Sequence, residues 1–230
     1  MANGTILYDG PSQLTGEQIV CVATWKSKNA KTGNMIQTWI LLRDIPPHEA
    51  AKQGLDRGVC GNCPRSPVTA KLLNIDKCYV KTYQAPLSVW KAYHKNLYSH
   101  DISKLPDLPI RFGSYGDPCA IPISVWDNAK SIHNQKHTGY SHQWKSKRFQ
   151  QYARLLMASC DTLLESIEAG KNGWRSFNVS PKSLEHNGFK FAQCPASNES
   201  NANKTCSDCM ACNGRNGESD KRASIKILAH

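Results

Sequence analysis

Cys206, Cys209 and Cys212 form an uninterrupted C-x2-C-x2-C run, and Cys194 stands upstream in a Cys-Pro pair. Thiolates at two-residue gaps can reach one metal centre from a single short loop. With Cys194 as a fourth ligand they complete either a tetrahedral zinc site or a fully ligated iron–sulfur cluster. Cys60, Cys63 and Cys78, in GVCGNCPRS and DKCYVKTY, make a second set that numbers only three. Three protein ligands leave a metal or cluster with an open position, as catalytic sites require and structural sites do not. Two other readings stay open for this set. A fourth ligand from Cys119, Cys160 or a histidine would close it, or Cys78, between Lys77 and Tyr79-Val80, is simply a buried thiol.

The ten cysteines would also suffice for five disulfides, so the compartment matters. The opening residues MANGTILYDGPS hold neither a basic region nor an apolar one of the secretory type. Nowhere does an apolar run approach the roughly eighteen residues of a membrane span. The expectation is a cytoplasmic chain without membrane association, in which thiols stay reduced and close spacings mark metal ligands. Cys21, Cys119 and Cys160 lie in or beside apolar stretches and read as core.

A net charge of +11 over 230 residues points to an anionic small molecule or a nucleic acid as partner. A solvated basic surface explains the same charge. The densest basic stretch, His142 to Arg154, interleaves aromatics with Lys145, Lys147, Arg148 and Arg154. It could contact phosphates while Trp144 or Tyr152 stacks on a base, or it could be the exposed face of a connecting helix.

The elements that must position these residues alternate in type. Strands are expected over 19–25 and 35–42, joined by the turn-rich KSKNAKTGN, and a short helix follows in PHEAAKQGL. The turn itself, with Lys28, Asn29, Lys31 and Gly33, could cradle an anion. It lacks P-loop spacing, and a plain hairpin turn is the simpler reading. A helix over 86–98 leads into strand–helix pairs: 109–117 with 123–135, 137–144 with 146–155, and 155–161 with 162–173. Strands over 174–180 and 225–230 close the chain. This alternation predicts one α/β domain over 1–230, a parallel β/α partial or complete barrel of TIM type. Its cysteine-rich metal-binding loops include an insertion over 194–214.

In such folds the C-terminal strand ends form the active face, which would gather Ser114, Tyr115, Asp117, His142, Trp144, Asp161, Cys194 and His230 at one mouth. His142 is a candidate acid/base, iron ligand or phosphate contact, because imidazole titrates near neutrality. Asp117, followed by Pro118, is read as a strand-end catalytic group. Asp161, followed by TLLE, is read as a helix N-cap.

Taken together, SKNAKTGNMIQTWIL, GVCGNCP, CYV, RFGSYGDP, HTGYSHQW, MASCD, GWRSFNV, CPAS and CSDCMACNG resemble a family of uncharacterised cysteine-rich phage and prophage proteins. The resemblance covers almost the whole chain. More distantly it is similar to radical S-adenosylmethionine (SAM) enzymes, in which a partial β/α barrel holds a four-iron cluster on three cysteines and SAM takes the open iron. That likeness implies a 4Fe-4S cluster on Cys60, Cys63 and Cys78 and an auxiliary cluster on Cys194, Cys206, Cys209 and Cys212. It also makes Gly113, Tyr115, Gly116 and Asp117 of GSYGDP the SAM-positioning turn, with His142 and Trp144 lining the pocket. The usual C-x3-C-x2-C signature is replaced here by C-x2-C-x14-C. The competing expectation is a zinc-stabilised, non-catalytic nucleic-acid-binding or host-takeover protein. Either would work in the host cytoplasm.

Overall fold

The computed structural model describes residues 3–27, 29–180 and 189–228. Nine strands make one sheet in the order β1-β2-β3-β4-β5-β6-β7-β9-β8. β1 (Gly4–Pro11), β2 (Gln18–Thr24) and β3 (Ile36–Leu42) form an antiparallel meander. β4 (Ile110–Tyr115), β5 (His137–Ser141), β6 (Met157–Cys160), β7 (Ser176–Ser180) and β9 (Ser224–Leu228) continue from β3 in parallel, and β8 (Phe191–Gln193) adds the far edge. The sheet is therefore mostly parallel and the fold mixed α/β. Among the described residues no ladder joins β1 to β8, so the strand order is that of an open sheet and shows no barrel closure.

Hydrophobic patterning accounts for the strands. β2 and β3 are buried along nearly their whole length, as continuous runs such as IVCVA and WILL require of strands covered on both faces. Strand β1 escapes the sequence reading because Asp9 and Gly10 interrupt an edge strand whose outer half faces solvent. The crossover from β3 to β4 carries α1 (Pro47–Gln53), α2 (Arg57–Cys60), α3 (Pro67–Leu73) and α4 (Ala85–His94). α5 (Ile123–Ser131) links β4 to β5, and α6 (Leu163–Lys171) links β6 to β7. The cysteine-rich segment with α7 (Cys206–Cys209) lies between β8 and β9.

The expected helix over 146–155 is instead a 3-10 run over Lys147–Arg154. Phe149, Tyr152 and Ala153 are its buried residues, and the three-residue spacing from Phe149 to Tyr152 suits a three-residue turn. Trp144 and Tyr152 are buried, with Trp144 Nε1 donating to the Ser159 carbonyl at 3.0 Å and the Tyr152 hydroxyl to the Ile121 carbonyl at 2.7 Å. Neither ring is available to stack on a base. The basic stretch is also partly neutralised, Lys145 by Glu165 at 2.7 Å and Arg154 by Asp127 at 2.5 Å.

Among the described residues, no helix is long and apolar enough to cross a membrane.

Candidate metal and cofactor site

A cavity of about 540 Å³ runs along one face of the parallel strands, past Arg111, Thr138, Phe177 and Ile225, and reaches their C-terminal ends at Asp117, His142 and Asp161. Its wall includes Cys60, Cys63 and Cys78 together with Cys194, Cys206, Cys209 and Cys212, so the two cysteine sets share one space. Gly113, Tyr115, Gly116, Asp117 and His142 line it as well. Trp144 does not; it packs in the core behind His142. Lys28 and His230 lie outside the described residues. All ten cysteines are free thiols, and Cys21, Cys119 and Cys160 are buried away from the cavity wall. The Cys119 Sγ sits 3.2 Å from the Ser141 hydroxyl.

Local geometry explains how the first set arrives there. α2 ends at Cys60 because Gly61 turns the chain at φ +60°, and the Cys63 N–H returns to the Cys60 carbonyl at 3.3 Å. Cys78 comes from a separate loop, fixed by its N–H donating to the Arg65 carbonyl at 2.7 Å. Arg65 in turn is clamped to Asp161 at the end of β6, at 2.9 and 2.6 Å from its Nε and Nη2. Asp161 is thus an ion-pair partner, and the N-cap of α6 is Thr162, whose side chain accepts from the Glu165 N–H at 3.1 Å.

β4 bulges against β3. Gln37 faces Arg111 while Trp39 faces Tyr115, so two extra residues are accommodated around Gly113. The Thr38 hydroxyl fills the gap by accepting from the Gly113 N–H at 2.8 Å. The bulge swings GSYGD into the cavity wall beneath Cys60. At Gly116, φ is +82° and a Cβ would meet Ile40 Cβ at 2.7 Å, which leaves glycine as the residue that fits.

Asp117 is fully engaged. Its Oδ1 accepts from the Cys119 N–H at 3.0 Å and the Ser141 hydroxyl at 2.8 Å, and its Oδ2 from the His142 N–H at 2.9 Å. These bonds tie the ends of β4 and β5 together, which makes Asp117 a positioning group for His142.

Burial is the largest force on the thiols. It pushes Cys60 well above the ordinary thiol range, helped by the neighbouring charges of Asp56, Cys63, Cys78 and Asp117, and it carries Cys63 up to about 12. Cys78 is raised by burial too, against the lowering effects of a Val80 backbone bond and of Arg65. In the second set burial carries Cys212 up to about 12, while a hydrogen bond from Tyr140 lowers it. Burial also raises Cys206, opposed by the nearby charges of Arg111 and Lys31. Crowded protonated thiols of this kind ionise when a cation binds among them, releasing protons as it does so.

The donor set suits soft metal chemistry. Among the described residues, three buried polar atoms of the cavity wall have no hydrogen-bond partner: the Tyr115 hydroxyl, His142 Nε2 and Arg111 Nε. Each such orphan costs roughly 1–3 kcal/mol unless a ligand satisfies it. Among the described residues, no three His, Cys, Asp or Glu side chains converge as a ready-made site for a single metal ion; the thiols line a space instead.

The wall residues that sequence reading missed include Asp56, Arg65, Arg111 and Tyr140. Arg111 carried a usable signal. It alternates with buried Ile110 and Phe112 on β4, so it must face the side of the sheet opposite the core they fill. Compared with protein-family models, curated proteins and solved structures, the chain matches none of them.

Proposed function

We propose that this protein is an iron–sulfur metalloenzyme of radical-SAM-like type acting on a small anionic substrate. The observation that carries the reading is the shared cavity: three cysteines, a glycine-rich strand-end turn and a histidine with an unpartnered nitrogen line one wall, and four more cysteines line another. In this reading Cys60, Cys63 and Cys78 hold a 4Fe-4S cluster, and Cys194, Cys206, Cys209 and Cys212 hold a second, closed one. A cluster held on these three cysteines would supply one-electron reduction to a chelating cofactor such as SAM.

The chain's own residues would do the rest. Gly113, Tyr115 and Gly116 shape the surface against which the cofactor lies. Asp117 holds the turn and the His142 backbone in place. His142, which lines the cavity and whose buried Nε2 has no partner among the described residues, is the group suited to hold or move a proton. The open, mostly parallel sheet is compatible with a partial barrel, whose strand ends would form the active face.

Anaerobic purification tests the proposal. A brown protein with stoichiometric iron and sulfide, which loses about half of each in Cys60→Ala or Cys63→Ala, is the expected result. A colourless protein holding zinc alone overturns it in favour of a zinc-stabilised binding protein. Loss confined to the C-terminal set in those variants would show that the two cysteine sets do not form separate centres.

A further inference from the structure

The charged groups of the cavity wall are unequally satisfied. Arg65 is spent on Asp161. Asp117 accepts from two main-chain N–H groups and the Ser141 hydroxyl, and Asp56 accepts from the Ser66 hydroxyl at 3.1 Å. Arg111, by contrast, has no carboxylate partner among the described residues.

Its guanidinium rests between two tyrosines. Nη2 donates to the Tyr79 hydroxyl at 3.1 Å, and the guanidinium carbon lies 5.8 Å from the centre of the Tyr140 ring. The Tyr140 hydroxyl is itself engaged with the Cys212 thiol. Nε is buried and without a partner. One of the five N–H donors of the fork is therefore used, and the groups that orient it are aromatic and do not neutralise it. Lys31, exposed in the lining of the same cavity and bonded through its carbonyl to the Cys206 N–H at 3.0 Å, adds a second cation without an acid partner among the described residues.

A fixed, half-buried and uncompensated guanidinium facing a cavity is costly to maintain and matches a planar oxyanion in shape and charge. We infer that Arg111, braced by Tyr79 and Tyr140 beside Cys206 and Cys212, is a binding subsite for the carboxylate or phosphate group of a small ligand. The subsite rests on the proposed function in taking this ligand to be the substrate. It lies beside the C-terminal cysteines, on β4 two residues before the Gly113–Asp117 turn assigned to the cofactor.

The test is calorimetric titration of the anaerobically isolated full chain with inorganic phosphate and, separately, with acetate, at constant ionic strength set by chloride. Saturable binding of one probe is expected, weakened about tenfold or more in Arg111→Gln and less in Arg111→Lys, which keeps the charge but loses the fork. Preference for phosphate or for acetate identifies which oxyanion the ligand carries. Metal content and melting temperature of both variants should match the parent chain. Absence of saturable binding by either probe overturns the subsite, and so does equal affinity in Arg111→Gln. Binding that persists in a zinc-only protein and still depends on Arg111 keeps the subsite while removing the iron–sulfur reading, so the two can fail separately.

Discussion

The main-chain N–H of Asp117 donates to the carbonyl of Val59 at 2.6 Å, joining the glycine-rich turn at the end of β4 to the helix that ends in Cys60. Two segments more than fifty residues apart in sequence are thereby locked as one wall of the cavity. The Asp117 carboxylate then extends the lock to β5 through Ser141 and His142.

Asp117→Ala would leave the Ser141 hydroxyl and two main-chain N–H groups without their acceptor at a buried position. A loss of about 3 kcal/mol in denaturant unfolding is expected, with Asp117→Asn costing less because one oxygen still accepts. A cost below about 1 kcal/mol for Asp117→Ala would show that the lock does not depend on the carboxylate.

Gly33 anchors the 29–33 loop against the second cysteine set. Its φ is +69°, and a Cβ there would collide with the Ser207 and Thr205 side-chain oxygens. The same loop accepts the Cys206 N–H at the Lys31 carbonyl and the Ser207 N–H at the Thr32 carbonyl, both at 3.0 Å. If the second set holds metal as proposed, Gly33→Ala should deplete that metal while sparing any held by the first set. Metal analysis of that variant in a Cys60→Ala background isolates the effect.

Arg175 clasps the segment from the other side. Its Nη1 donates to the carbonyls of Ala211 and Gly214 at 2.9 Å each, and its Nη2 to that of Ala223 at 2.8 Å. Arg175→Met keeps much of the volume and removes all three bonds. Destabilisation of about 3 kcal/mol is expected, together with faster proteolysis of the 211–223 segment. Cleavage at the parent rate would show that the clasp does not hold the loop.

His137 should make the protein acid-sensitive. It stacks on Phe112 and bonds the Leu155 carbonyl at 3.1 Å. Burial first, and then the positive charges of Lys130 and Arg154 against the opposing Asp127, bring its pKa down to about 4. The unfolded chain takes up this proton near pH 6.5, so the folded state keeps its full advantage above that pH. It loses up to about 3 kcal/mol as pH falls from 6.5 toward 4. His137→Gln should flatten that part of the stability–pH curve relative to the parent chain, as followed by melting temperature; parallel curves for the two proteins would rule the effect out.

Periodicity and residue type made much of the scaffold legible. Continuous apolar runs marked β2 and β3, and the strand–helix alternation after residue 109 fixed a parallel arrangement. Cysteine spacing singled out two candidate sets, and both line one cavity, although among the described residues neither converges as a ready-made metal site. β1 was illegible because an edge strand half exposed to water lacks a clean apolar pattern. The 3-10 run over Lys147–Arg154 was read as an α-helix because its charges and aromatics suit either form.

What only tertiary structure decided is which distant groups meet. That Cys60 and Cys206 face one cavity follows from two distant segments meeting across one sheet face: the crossover after β3 sets Cys60 beside the end of β4, and the segment before β9 is held from the other end, by Lys31 and Thr32 ahead of β3 and Ala153 ahead of β6. Arg65 pairs with Asp161, leaving the helix cap to Thr162, and Trp144 turns into the core, for the same reason. Local sequence sets a residue's options, but long-range packing chooses among them. Arg111 shows the division plainly: alternation put it on the face away from Ile110 and Phe112, and the absence of a nearby acid among the described residues emerged once the cavity closed around it.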